Sequence, residues 1–161
     1  MLVTLAVGSI LLALAVPAFR TFLQNDRLMT QASALSMALY AARSEAVKQD
    51  VSVQLCSSAN GLTCSGAATW EQGWIVLSTA PGATPVQVAG AQPAGTTVRS
   101  TAGISQVTFL ATGLANVGSG FKLCDGRGPT QARYVQLNIT GNVIQSQRVG
   151  FDVNNNPLAC P

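Results

Sequence analysis

Four cysteines offer the clearest chemistry in this sequence of 161 residues, which contains no histidine at all. They are Cys56, Cys64, Cys124 and Cys160. A zinc site usually needs closely spaced cysteine pairs or histidine partners, and the sequence has neither. An even number of cysteines instead favours disulfide bonds, which form outside the cytoplasm. We therefore predict no metal site and a chain that matures in an oxidising compartment.

Four cysteines allow three pairings, of which the sequence favours Cys56–Cys64 and Cys124–Cys160. The first bond would clip a local loop around Asn60-Gly61, and the second would pin the C-terminal tail to a strand. Each bond would add ~2–4 kcal/mol to the free energy of unfolding, more where the closed loop is longer. Buried free thiols remain the alternative.

Catalytic chemistry has little support, because no histidine is present to serve as a general base. The carboxylates are scattered along the chain, at Asp26, Glu45, Asp50, Glu71, Asp125 and Asp152. Two glycine-rich segments, Gly118–Gly120 and Gly126–Gly128, lack the strand–glycine–helix context of a nucleotide site. We predict that the protein is not an enzyme and that it binds no cofactor.

Basic side chains in the C-terminal part of the chain raise a different possibility, the binding of nucleic acid. The candidate DNA-binding residues are Lys122, Arg127, Arg133 and Arg148, since salt-dependent contacts to phosphates need only clustered cations. The alternative is an ion pair of Arg127 with Asp125 and a solvated Arg133. We favour this alternative, because no aromatic stacking partner accompanies the cations.

The elements that would position these residues begin with an apolar segment, residues 1–23, whose first charged side chain is Arg20. A helix needs roughly 20 apolar residues to cross a bilayer core, so we predict a transmembrane half-helix with a kink at Pro17. A cleaved signal peptide is the alternative, since Ala13-Leu14-Ala15 resembles a cleavage site. No basic residue precedes the apolar run, which favours a retained anchor.

Residues 24–50 continue the helix as an amphipathic half, without an intervening turn signal. Apolar side chains recur there at spacings of three and four residues, as one face of a helix requires. This set, the inner stripe, consists of Leu28, Ala32, Leu35, Leu39, Ala42 and Ala46. We predict that it covers the core of the head that follows.

Residues 51–161 are predicted to form a β-rich head of short strands separated by glycine, proline and polar residues. The predicted strands are Val51–Leu55, Trp74–Ser78, Val86–Val88, Val107–Leu110, Phe121–Cys124, Tyr134–Ile139 and Val143–Gln147, the last two joined by a tight hairpin at Thr140-Gly141-Asn142. Segments 81–82, 92–95 and 118–120 are predicted loops. Trp74 is assigned to the core, whereas Trp70 stays open between the core and an exposed contact.

Motifs spread over nearly the whole chain carry a family resemblance. They are Leu2–Val7 and Leu14–Phe19 in the helix, Ala42–Val47 near its end, Trp70-x-x-Gly73-Trp74, Phe121–Gly128 and Ala132-Arg133-x-Val135. Together they resemble the GspH/FimT branch of type IV minor pilins and type II secretion pseudopilins. The resemblance implies a pilin-like α+β fold, with a long N-terminal helix packed on an antiparallel sheet. It also implies a single-pass anchor in the inner membrane, a periplasmic head, and assembly with other pilins or pseudopilins.

The resemblance leaves three functions open. The favoured one is a structural and priming subunit of a type IV pilus tip complex. The alternatives are a type II secretion pseudopilin and a DNA-binding minor pilin that serves transformation. The Gly-Arg-x-Arg pattern of DNA-binding relatives is not matched, because Gly141-Asn142-Val143-Ile144 stands at the hairpin. Pilin precursors carry a basic leader and a glutamate ahead of the position of Met1, so we expect the chain either to begin inside such a precursor or to lack that processing.

Overall fold

The computed structural model describes the backbone of residues 2–161 and the side chains of Val16 and of residues 19–161. The chain begins with one helix, α1 (Leu2–Gln49), and continues into a head of short strands. The strands are β1 (Val53–Ser57), β2 (Trp74–Ser78), β3 (Pro85–Ala89), β4 (Thr97–Ser100), β5 (Gln106–Phe109), β6 (Ser119–Cys124), β7 (Arg133–Leu137) and β8 (Val143–Gln145). Short 3-10 turns, Trp70–Gln72 and Pro129–Gln131, lead into β2 and β7.

The strands form two four-stranded sheets. Sheet A has the order β3-β2-β1-β5, and sheet B has the order β4-β6-β7-β8. Every pair of neighbouring strands is antiparallel. Because α1 contacts strands of both sheets, the second half of the helix is the common wall of one core, and the α+β fold predicted from the sequence is confirmed.

The inner stripe of α1 supplies the helical side of this core. All six of its predicted members are buried, with no more than 2% of any side chain exposed. They pack in one cluster with Leu55 and Val76 of sheet A and with Phe121 and Val135 of sheet B. Full burial of a leucine or valine contributes roughly 1.5–3 kcal/mol, so this stripe fixes the helix against the head.

Apart from shifts of one or two residues at the strand ends, the strand predictions differ from the structure at two places. Segment 118–120 was predicted as a loop, which is wrong, because Ser119 and Gly120 open β6. Gly120 fits a strand there because the ring of Tyr134 lies over its Cα and occupies the space of a side chain. Strand β4 was not predicted, since Thr97–Ser100 offers one buried apolar side chain, Val98, and no alternating pattern.

The predicted hairpin between β7 and β8 is confirmed. Residues 138–142 connect the strands, and the Gly141 amide donates to the Asn138 carbonyl at 2.9 Å. Gly141 has a φ of 76°, a backbone conformation that residues with a side chain rarely adopt. A Cβ at this position would also overlap the Gly113 carbonyl. The turn therefore requires glycine for two reasons, the backbone conformation and the lack of space.

Both disulfide bonds have the pairing that the sequence favours. Cys56 is bonded to Cys64, and Cys124 is bonded to Cys160. The first bond closes the loop after β1, and the second holds the C-terminal tail against β6.

The two tryptophans both belong to the core. Trp74 is buried as predicted, and Trp70 is fully buried as well. The Trp70 ring stands edge-on to Phe121 with 5.1 Å between centroids, and its indole N–H donates to the Ile104 carbonyl at 2.9 Å. Of the two alternatives left open for Trp70, the structure shows the core.

The membrane predictions concern a part of the chain that is largely outside the described side chains. Most residues of the anchor predicted for 1–23, and Pro17 with its predicted kink, lie outside the residues whose side chains the structure describes. In the portion whose side chains are described, no helical stretch is both long enough and apolar enough to cross a membrane.

Candidate assembly surfaces

A second stripe of large side chains runs along α1 outside the buried core. This outer stripe consists of Phe19, Phe22, Met29, Met37, Tyr40 and Val47, each between 46% and 66% exposed. At 100° per residue these six positions share an arc of about 80°, centred about 140° around the helix from the inner stripe. The helix is therefore apolar on two sides, and the head covers one of them.

Small and polar residues separate the large ones along the outer stripe and leave two shallow grooves. Met29 and Met37 line the first groove together with Ser33 and Ala34. Tyr40 and Val47 line the second together with Arg43, Ser44 and Lys48. Large side chains that alternate with small ones are the surface into which the ridges of another helix pack.

Tyr40 shows how the head holds this outer surface in place. Its hydroxyl donates to the Val143 carbonyl of β8 at 2.7 Å, while its ring remains about half exposed. One turn earlier, the Gln145 amide donates to the Ser36 hydroxyl at 2.9 Å. Sheet B thus fixes the rotation of α1 and, with it, the direction in which the outer stripe points.

An ion pair and a hydrogen bond, both made by Arg127, join the helix to the other end of sheet B. The guanidinium of Arg127 donates to both carboxylate oxygens of Asp125, with Nη2 to Oδ2 at 2.7 Å. Its Nη1 donates to Asn25 Oδ1 on α1 at 2.6 Å. Burial raises the pKa of Asp125, but the hydrogen bonds and charge of Arg127 outweigh it, so the net pKa lies below its ordinary value. Arg127 therefore forms the ion pair with Asp125 that the favoured alternative predicted, and it also binds α1.

Two of the other candidate DNA-binding cations also have partners within the chain. Lys122 donates from Nζ to the Ala159 carbonyl of the tail at 2.9 Å. Arg148 donates to Asn155 Oδ1 at 2.8 Å, and its guanidinium carbon stands 3.6 Å from the centroid of the Phe151 ring. Both side chains hold the C-terminal tail in its fold.

Arg133 differs from the others, because its Nε is buried without a hydrogen-bond partner. It pairs with Leu123 across the β6–β7 ladder, and paired residues project to the same face of a sheet. Lys122 precedes Leu123 and therefore projects to the opposite face. The structure places Lys122 and Arg133 on neighbouring strands but does not bring them into one cationic patch.

Sequence reasoning missed the outer stripe, although a signal was present. Phe22, Met29, Tyr40 and Val47 include two pairs spaced by seven residues, a repeat typical of helix–helix contacts. Asp26 and Ser33 interrupt the pattern, and the inner stripe already accounts for an amphipathic helix. Among the residues whose side chains are described, no three acids or cysteines come together as a set that could hold a metal.

Comparisons with known proteins agree on the class that this architecture defines. A family model described as "Type II transport protein GspH" matches residues 31–141. The type IV minor pilin FimU of Pseudomonas aeruginosa superposes with a TM-score of 0.66 at 22% identity, over 87% of this chain and 99% of that one. The minor pseudopilin EpsH of Vibrio cholerae superposes with a TM-score of 0.58 at 12% identity, over 80% and 98%. No curated protein is significantly similar in sequence.

A long N-terminal helix packed on an antiparallel head defines a pilin-like α+β fold. The family model covers well over half of the chain. The protein therefore belongs to the GspH family, and it shares its fold with a type IV minor pilin and a minor pseudopilin.

Proposed function

We propose that the protein is a minor pilin, a structural and priming subunit in the tip complex of a type IV pilus. The observation that carries the proposal is the outer stripe of α1. Its six large side chains are between 46% and 66% exposed, and the rotation of the helix is fixed by the hydrogen bonds of Tyr40 and Ser36 to sheet B. Packing such a stripe against the helices of neighbouring subunits removes its apolar surface from water, which stabilises association by roughly 25 cal/mol per Å².

The proposal includes a division of labour along the chain. Residues 1–23 anchor the subunit in the inner membrane before assembly, and residues 24–50 present the outer stripe. Residues 51–161 form a periplasmic head that contacts other pilins. The two disulfides support this placement, since they persist in oxidising compartments, and they hold the loop after β1 and the C-terminal tail.

A pseudopilin of a type II secretion system is the alternative within the same class. Its helix would use the same outer stripe, and the superposition on EpsH supports it as a fold. We favour the pilus because FimU, described as a type IV minor pilin, superposes with the higher TM-score and identity.

DNA uptake is the alternative from another class, and it rests on Lys122, Arg127, Arg133 and Arg148. The contacts of three of these cations argue against it, since they bind a carboxylate, carbonyls and an aromatic ring of the chain itself. DNA binding stays a prediction for Arg133, whose Nε has no described partner. Retardation of DNA by the full chain at low salt, abolished by Arg133→Ala but not by Lys48→Ala, would support it.

The pilus and secretion proposals separate in one experiment on cells that produce the chain. Sheared surface filaments are isolated and probed for the protein, and the same cells, with the chain deleted, are assayed for filaments and for exported proteins. A minor pilin is present in the filaments, and its deletion lowers filament number while export continues. Normal filaments together with lost export would instead identify a pseudopilin.

A further inference from the structure

Arg43 is a half-buried cation of α1 that has no partner among the described residues of its own chain. It lies in the groove of the outer stripe that Tyr40 and Val47 line. The ion pairs of the described residues are Lys48–Glu45, Arg99–Glu71 and Arg127–Asp125. No described residue accepts a hydrogen bond from the Arg43 guanidinium, so its five N–H donors remain open.

Two glycine turns of the head hold Arg43 in place. Gly113 lies in the turn after β5 of sheet A, and Gly141 lies in the hairpin between β7 and β8 of sheet B. A Cβ at Gly113 would stand 3.2 Å from Nε of Arg43, and a Cβ at Gly141 would stand 2.9 Å from it. The guanidinium end of the side chain therefore packs against both turns, with no side chain of either glycine in between.

The acids nearest in sequence do not neutralise Arg43. Glu45 is two positions away, which places it about 200° around the helix. It accepts a hydrogen bond from Gln49 Nε2 at 2.7 Å and pairs with Lys48 at 3.6 Å. Asp50 follows the end of α1 with a φ of 55° and is in none of the described ion pairs. The turns beneath Arg43, residues 110–114 and 138–142, contain no acid.

A fixed cation with open donors is suited to bind a carboxylate, because the planar guanidinium matches two carboxylate oxygens at once. The groove around Arg43 is lined further by Ser44 and by Lys48, a second cation, and by no acid. The flanking Tyr40 and Val47 are 46% and 54% exposed. A partner that covers them would exclude water from the cation, and a desolvated cation needs an opposite charge.

The outer stripe itself shows where a carboxylate of this kind stands on a pilin-like helix. Its first groove is lined by Asp26 together with Met29 and Met37. Asp26 is exposed and is in none of the described ion pairs. The two grooves of one helix thus carry opposite charge, which is the complementarity that a second helix of this class needs to pack on Arg43.

We propose that Arg43 is the anchor for a carboxylate carried by the helix of a neighbouring subunit. That helix packs over Tyr40 and Val47 and brings its aspartate or glutamate onto the guanidinium. The apolar contacts supply area, and the ion pair sets how far the two helices are displaced along each other. This inference rests on the proposed function for the identity of the neighbour but not for the open cation.

The first test compares Arg43→Met with Arg43→Lys in the full chain. Methionine keeps an unbranched side chain over the glycine turns but carries no charge. In detergent, Arg43→Met should unfold at the wild-type temperature, because the free subunit has no ion pair to lose there. In sheared filaments it should be recovered about tenfold less than wild type or lower, the effect of removing one partner of a desolvated pair. Arg43→Lys keeps the charge and should still enter filaments.

Lys48→Met is the matched control, because it removes a charge from the same groove at a side chain that is 74% exposed. It should be recovered at the wild-type level. Wild-type recovery of Arg43→Met would overturn the anchor. So would equally low recovery of Arg43→Met and Arg43→Lys, or an equal loss from Lys48→Met.

A zero-length coupling then identifies the acid. Filaments that contain Arg43→Lys are treated with a water-soluble carbodiimide, which joins an amine to a contacting carboxylate as an amide, and linked peptides are identified by mass spectrometry. We expect the amine introduced at position 43 to be linked to an aspartate or glutamate in the helix of another subunit. A phosphate, whether free or of a lipid, forms no such link, so its absence would overturn the carboxylate. Absence of the unmodified chain from filaments would overturn the proposed function instead and leave the unfolding result for Arg43→Met standing.

Discussion

Arg127 binds one partner that is close to it in the sequence and another that is distant. Its partner Asp125 is two positions away, so the ion pair could be predicted from spacing alone. Its other partner, Asn25, is 102 positions away, and only the packing of α1 on sheet B brings it within reach. The charge of Arg127 was readable from the sequence, but its role in joining helix to head depends on the tertiary fold.

Replacing Arg127 by glutamine should therefore lower the free energy of unfolding by ~1.5–3 kcal/mol, the range for hydrogen bonds to charged groups. The side chains of the Arg127–Asp125 pair are 19% and 14% exposed, so water screens the pair only in part. Urea unfolding of the full chain measures the change. Lys48→Gln is the control, because that exposed pair with Glu45, at 3.6 Å, should contribute almost nothing.

The same pair predicts a pH dependence. The net pKa of Asp125 is lowered, because the hydrogen bonds of Arg127 outweigh the opposing effect of burial. A lowered pKa stabilises the fold above the ordinary value of about 4, and that stabilisation is lost as the pH falls through the folded-state pKa. The stability difference between wild type and Arg127→Gln should thus be constant from pH 7 to 5 and shrink below pH 4. A difference that grows on acidification would contradict this assignment.

Gly120 gives a prediction about packing rather than charge. A Cβ at this position would overlap the ring of Tyr134, whose hydroxyl is held by Gln136 Oε1 at 2.7 Å. We expect Gly120→Ala to destabilise the protein by ~1–3 kcal/mol, the usual effect of overpacking. In a Tyr134→Leu background the same change should cost clearly less, since residues in contact are not additive. Equal costs in both backgrounds, measured by urea unfolding, would show that the ring is not the obstacle.

At the scale of the element, α1 carries two stripes of large side chains, an inner stripe that is buried and an outer stripe that is exposed. The inner stripe was predictable, because its spacing of three and four residues is the direct signature of a buried helical face. The outer stripe was not, because one amphipathic face already explained the segment and polar positions such as Asp26 interrupt the second. Strand β4 was not predicted for a related reason, because one buried apolar residue, Val98, does not make an alternating pattern that identifies a strand.

Truncating a side chain should lower the free energy of unfolding strongly on the inner stripe and hardly at all on the outer stripe. Leu35, on the inner stripe, is fully buried, and Leu35→Ala should lower the free energy of unfolding by ~2–5 kcal/mol. Met37, two residues along the chain on the outer stripe, is 66% exposed. Met37→Ala should change stability by less than about 0.5 kcal/mol, as surface substitutions usually do. Thermal or urea unfolding compares the two directly, and similar losses would contradict the assignment of the outer stripe to solvent in the free subunit.

At the scale of the whole molecule, the disulfides and the distribution of charge divide the head into two regions. Sheet A and its loops are nearly uncharged, whereas Lys122, Asp125, Arg127, Arg133, Arg148 and Asp152 all lie in sheet B or the segments that follow its strands. The charge pattern was visible in the sequence. The sequence did not show that the charged and uncharged regions belong to two separate sheets. The reason is that the strand order β4-β6-β7-β8 places β4 away from its chain neighbours β3 and β5.

The disulfides should differ in their contribution to stability. The Cys124–Cys160 bond spans 36 positions and the Cys56–Cys64 bond spans 8. In the chain-entropy picture the longer loop contributes about 4 kcal/mol and the shorter about 2.5 kcal/mol. Alanine pairs at each bond, compared by urea unfolding, test the order of the two effects. A larger loss from the Cys56–Cys64 pair would show that native contacts of the clipped loop, rather than chain entropy, dominate.

The central claim is that the outer stripe of α1 is the surface through which the subunit assembles. The most direct measurement compares the amount of full-length chain recovered in sheared filaments for Met29→Lys with Met37→Lys and for Ala102→Lys, an exposed position on the head. Two buried lysines in a helix–helix contact are strongly unfavourable, so the double variant should be recovered at least tenfold less than wild type while unfolding at the same temperature. The Ala102→Lys control should be recovered at the wild-type level. Recovery of the double variant at that same level would contradict the account.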